Sequence, residues 1–196
     1  LQAYGIDAKI EEVYNTRIAQ VETRKHSLIG TNIYANPVDE IPTDVNAQFA
    51  DVKRIALPFE NLRANFAEAG LKPAILTFGE LKNYKPRADF VQGFFATAGI
   101  VAHQTAGFQT IEDATEWLAS ADYDYVVVAA TDEDTKAILP ALLQSKKANV
   151  VLDAAGKYKD EEAAWIANGL NGFIFAGQNI VQKLNDVVTR VKEVQQ

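Results

Sequence analysis

The chain has 196 residues, of which 48% are hydrophobic and 23% charged, with a formal net charge of −7 and an isoelectric point near 4.9. This suits a compact globular fold of one or two small domains and argues against disorder, while the acidic balance repels phosphate backbones and excludes nucleic acid as an expected partner. No apolar run approaches the roughly 20 residues of a membrane helix and no basic-then-apolar leader opens the chain, so neither a membrane span nor a secretory leader is expected.

Taken in chain order, Ile6, Ile10, Val13, Ile18 and Val21 recur at steps near three and four and predict a first helix. The stretch Asn36 to Asp44, with Pro37, Pro42 and its acids, reads as a loop. A second helix is expected from Pro58 to Ala69, with proline in the first turn and Gly70 as its stop. Residues 1–72 show no strand–helix alternation and are expected to form a mainly helical linker arm.

From Pro73 the pattern becomes regular, and residues 73–196 are expected to form one α/β domain. Short apolar strands are predicted at Ala74–Phe78, Ile100–Gln104, Tyr125–Ala130, Asn149–Leu152 and Gly172–Phe175. Between and after them come helices at Arg87–Ala98, Ile111–Ala119, Asp132–Ser145, Asp160–Ala167 and Asn179–Val194. Thr110 is a plausible cap for the second of these, and Pro140 is a candidate kink in the third. Alternation of this kind implies parallel strands with right-handed crossovers, hence a flavodoxin-like doubly wound five-stranded sheet. Its ligand crevice would lie at the carboxyl ends of the first and third strands.

The loops at that crevice are poor in chemistry. Gly79 to Pro86 holds no phosphate-cradling glycine pattern. Thr131-Asp132-Glu133-Asp134 could suggest a magnesium or phosphoacceptor site, but a capping threonine followed by acids is the ordinary start of a helix. His26 reads as a surface residue and His103 as an edge-strand residue, and neither has a second ligand at metal-binding spacing. Ser27, Ser120 and Ser145 lie at helix ends or linkers with no nucleophile elbow. Trp117 and Trp165 fall on helices and read as packing residues. The absence of cysteine removes disulfides, thiolate metal sites and Cys nucleophiles together. No catalytic residue and no metal site is expected. Methionine is also absent, even at position 1, so we expect a fragment, a processed product, or a sequence that has lost Met-derived residues.

Arg54-Ile55-Ala56-Leu57-Pro58-Phe59-Glu60-Asn61-Leu62-Arg63 resembles the R-x-x-x-P-F-E-x-L-R segment of the methylmalonyl-CoA mutase family. Ile29-Gly30-Thr31-Asn32-Ile33-Tyr34 looks like that family's I-G-V-N-x-Y stretch, and Leu139-Pro140-Ala141-Leu142 resembles its L-V-P-A-L helix segment. Gly169 to Gly177 resembles its G-V-x-G-I-F-G-P-G segment, so the likeness runs over nearly the whole chain.

The resemblance implies a cobalamin-binding-type domain. In catalytic members D-x-H-x-x-G follows the first strand: the His binds cobalt, the Asp orients the imidazole, and the Gly admits the nucleotide tail. Aligning Phe95–Gly99 with the family's F-A-x-x-G puts these three at Lys82, Tyr84 and Arg87. The family's S-x-L falls on Ala129-Ala130-Thr131, and its Gly-Gly near Asp153-Ala154. Every key residue is replaced, so no cofactor is expected on this chain.

The chain therefore resembles the small, non-catalytic subunit of heterodimeric mutases, expected in the cytoplasm. Its partner would be the large catalytic subunit, which binds adenosylcobalamin and interconverts methylmalonyl-CoA and succinyl-CoA. A barrel preceding residue 1 is expected from the same resemblance. Two alternatives remain: a domain that still binds adenosylcobalamin within a catalytic acyl-CoA mutase, and a small-molecule or signalling module unrelated to mutases.

Overall fold

A computed structural model of the chain describes residues 4–40 and 52–196. Residues 41–44 of the expected proline-containing loop lie outside the described residues.

Helices α1 (Tyr4–Glu22) and α2 (Leu57–Ala69) precede five strands: β1 (Pro73–Thr77), β2 (His103–Gln104), β3 (Tyr125–Ala129), β4 (Val151–Ala155) and β5 (Gly172–Ile174). The intervening and final helices are α3 (Leu81–Ala96), α4 (Ile111–Ser120), α5 (Asp132–Ser145), α6 (Glu162–Ala167) and α7 (Ile180–Val194). All strand pairings are parallel and the order across the sheet is β2-β1-β3-β4-β5. The three central strands are buried at every position, which explains their continuous rather than alternating apolar sequence.

Side chains alternate across the sheet and separate two cores. Tyr125, Val127 and Ala129 of β3 share one core with α2, α3 and α7, through Phe59 and Leu62, Phe94 and Phe95, and Leu184 and Val187. Val126 and Val128 share the other with α4, α5 and α6, through Leu118, Ile138, Leu142 and Trp165. Both faces of the sheet are thus covered.

Helix α2 belongs to the first core. Phe59, Leu62 and Phe66 are buried in it, a gross burial gain of about 5 to 9 kcal/mol at roughly 1.5–3 kcal/mol per large side chain. Pro58 occupies the first turn and Gly70, at φ 62°, closes the helix. Arg54 forms a two-pronged pair with Glu60 at 2.6 Å, and Arg63 donates to the carbonyls of Asn36, Asp39, Ala96 and Thr97. The segment Arg54–Arg63 is therefore a packing and clamping unit in this chain.

The Ile29–Tyr34 segment turns on Asn32, which is fully buried. Its amide accepts from the Leu28 N–H and donates to the carbonyls of Val21 and His26, tying the end of α1 to the following loop. Arg24 fixes that junction to α3, donating to the carbonyls of Asn32 and Gly93 with its guanidinium 6.0 Å from the rings of Phe90 and Phe94. Upstream, α1 leaves Ile6, Ile10 and Val13 exposed.

The main departure from the sequence expectation is at α3. It begins at Leu81, six positions before the expected Arg87, so most of the anticipated ligand loop is helix. Pro86 sits within it on the exposed side, where water can satisfy the carbonyl that its missing N–H leaves over. Strand β2 is shorter than expected, only His103–Gln104, because it forms the sheet's edge and pairs on one side only.

Candidate functional site

A crevice of about 470 Å³ opens at the carboxyl ends of β3, β4 and β5, beside α3, where open parallel sheets usually place ligands. Its walls include Phe90, Ile174 and Phe175, and its polar side chains are Asn83, Arg87, Thr131 and Asp132.

Arg87 projects from α3 toward the strand ends. Its guanidinium donates to the Ala130 carbonyl at 2.7 Å, to the Tyr158 hydroxyl at 2.8 Å and to Asp132 Oδ1 at 2.8 Å. The Arg87 hydrogen bond holds the Asp132 carboxyl below its ordinary range. Burial pushes the Tyr158 hydroxyl up, and that hydroxyl donates onward to the Ala155 carbonyl. The Tyr158 ring lies over Gly156, at φ 129°, where a Cβ would come within 2.8 Å of it. Arg87 thus takes up part of the crevice, braced by the buried Tyr158, whose ring is seated against a residue that has to be glycine.

Thr131 lines the crevice as the cap of α5. Its hydroxyl accepts from the Asp134 N–H at 3.1 Å and bonds the Asp134 carboxylate at 2.7 Å. Thr131 and Asp134 are therefore engaged with each other at a helix start, and among the described residues no group of three His, Cys, Asp or Glu could hold a metal ion.

The other positions singled out by the sequence lie elsewhere. Lys82 is exposed and pairs with Glu80 at 2.7 Å. Tyr84 is buried in the first core, donates to the Ala106 carbonyl at 3.1 Å, and packs against Gly107, at φ 88°. Ala129 is buried within β3. Asp153 and Ala154 lie inside β4, which runs to Ala155, so the residues that follow the strand are Gly156 and Lys157. Asp153 is fully buried, away from the crevice, and accepts from Tyr125 Oη at 2.6 Å, Asn171 Nδ2 at 2.9 Å and Lys183 Nζ at 2.6 Å. His103 is exposed on the edge strand, its ring stacked 5.5 Å from that of Tyr123. His26 is exposed as well.

Of the expected cofactor positions, only Arg87 and Thr131 reach the crevice. Tyr158 was missed because its hydroxyl reaches Arg87 across 71 residues of sequence, and no local pattern marks such a contact. In the register that the mutase resemblance implies, these residues do not fit cobalamin. The position aligned with the cobalt-binding His is a buried tyrosine already bonded to a carbonyl, and the one aligned with the tail-admitting Gly is an arginine that takes up part of the crevice. No protein-family model matches the chain, and no curated protein matches it either.

Proposed function

We propose that this chain is a structural, non-catalytic domain of the cobalamin-binding type. In this reading it is the carboxyl-terminal part of the small subunit of a heterodimeric acyl-CoA mutase and packs against the large catalytic subunit in the cytoplasm. The strand order β2-β1-β3-β4-β5 with helices on both faces supports the flavodoxin-like, doubly wound arrangement that this reading requires. One observation carries the loss of cofactor binding: Arg87 stands where a tail-admitting glycine is expected and takes up part of the crevice, held there by three hydrogen bonds. Adenosylcobalamin, with the interconversion of methylmalonyl-CoA and succinyl-CoA, then belongs to the partner subunit.

The test is a titration with adenosylcobalamin followed by visible absorbance and calorimetry, alongside co-purification with a large mutase subunit. No cofactor binding together with a stable one-to-one complex is the expected outcome. Micromolar or tighter binding by the chain alone would favour the second reading, a working cofactor carrier, for which the open part of the crevice speaks. Failure of both cofactor binding and complex formation would leave the mutase assignment without support.

A further inference from the structure

A groove of about 930 Å³ opens at the other end of the sheet, between α2, the α3–β2 connection and the start of β1. Its cations are already engaged. Arg63 donates to four carbonyls and lies beside Asp39, and Lys72 pairs with Asp122 at 2.7 Å. Glu40 is exposed on the rim and pairs with no cation among the described residues.

Helices α2 and α3 both end at this groove, and neither carries a basic residue in its last turn. The partial negative charge of a helix carboxyl end is worth roughly half an elementary charge; Arg63 offsets that of α3 and leaves that of α2. Beside these groups lies apolar surface, with Val101 67% exposed on the rim and the Tyr123 ring in the wall.

We propose that this groove binds a basic, partly apolar peptide segment of a partner protein. Its Lys or Arg is held by Glu40 and the end of α2, and its apolar side chain covers Val101. A small amine would satisfy the charge and leave the apolar rim in water, so the two features together select a peptide. This inference does not depend on the mutase reading.

The test is a titration of the chain with a short blocked peptide alternating Leu and Arg, read by the fluorescence of Trp117. That ring lies 5.6 Å from Tyr123. A peptide of the same length alternating Leu and Glu, and arginine amide alone, serve as controls. Saturable binding of the Leu/Arg peptide is expected, weakened about tenfold by Glu40→Lys and less by Val101→Ser. Both residues are exposed, so neither change should disturb folding. Absence of saturable binding, equal binding of the Leu/Glu peptide or of arginine amide, or Leu/Arg binding unchanged by Glu40→Lys would each overturn the proposal.

Discussion

Two networks in this protein combine the same three kinds of group in different surroundings. In the first core, Lys183 of α7, Asp153 of β4 and the Tyr125 hydroxyl converge, with the Lys183 side chain 11% exposed and Asp153 not at all. At the crevice, Arg87 of α3, Asp132 of α5 and the Tyr158 hydroxyl converge, with the Arg87 side chain 27% exposed and that of Asp132 66%. Each set is a cation, a carboxylate and a phenol. The difference teaches that burial, rather than chemistry, decides what such a network does. Inside the sheet each member must keep its partners, because an unpaired charge there has no water to turn to. At the crevice Tyr158 is buried but both charged members, Arg87 and Asp132, reach water, so removing one of them strands no charge in the interior.

The strongest way to break this comparison is to remove a buried partner. Asp153→Ala leaves Lys183 charged and almost buried, and unfolding in urea should show a loss of about 3–5 kcal/mol. A loss no larger than that of Arg87→Ala would show that burial does not separate the two networks.

Arg87→Ala is the next largest, at about 1–2 kcal/mol, since the Tyr158 hydroxyl keeps its bond to the Ala155 carbonyl and water entering the enlarged crevice can reach the Ala130 carbonyl. Its more telling effect is on space: a crystal structure of the variant should show a deeper crevice with Tyr158 still over Gly156. Collapse of that loop into the gap would mean that Arg87 holds the fold as well as filling it.

Thr131→Ala removes the cap of α5 at the crevice edge and should cost about 1 kcal/mol by the same unfolding measurement. A neutral effect would mean that Asp134 alone suffices to start the helix.

The pH responses are smallest and opposite in sign. Burial and the neighbouring Asp153 raise the Tyr125 hydroxyl well above the ordinary tyrosine value of 10.0. Its contribution is therefore complete below that value and is lost as pH rises beyond it, because the unfolded chain ionises first. The Asp132 carboxyl is held below its ordinary value of 3.8, so its contribution is present above 3.8 and is lost as pH falls through the lower, folded value. Because Asp132 is mostly exposed, that acid response should be slight and should vanish in high salt, whereas the alkaline response of Tyr125 should persist. Unfolding followed at both pH extremes, with and without added salt, checks both signs.

Much of the fold was legible because local chemistry writes it. The apolar runs expected at Tyr125–Ala130 and Ala74–Phe78 form strands Tyr125–Ala129 and Pro73–Thr77, within one residue at each end, and the caps Thr110 and Thr131 and the stop at Gly70 stand as expected, because each follows from neighbouring residues. The start of α3 was not legible, because Pro86 reads as a helix boundary and only the burial of Tyr84 in the first core shows why the helix begins earlier. The crevice was half legible. Arg87 could be placed there by likeness to a family motif, but Asp153 was assigned to the crevice when its side chain points into the first core.

The sequence by itself determined which strands and helices form and in what order, though not every boundary, since hydrophobic period, capping and turn residues act over a few positions. Only the tertiary structure decided which charges meet. Asp153 finds Lys183 and Asn171 across β5, and Arg87 finds Tyr158 and Asp132, over separations at which no local pattern operates. Those pairings exist because parallel strands with helical crossovers bring distant residues to the same end and face of one sheet.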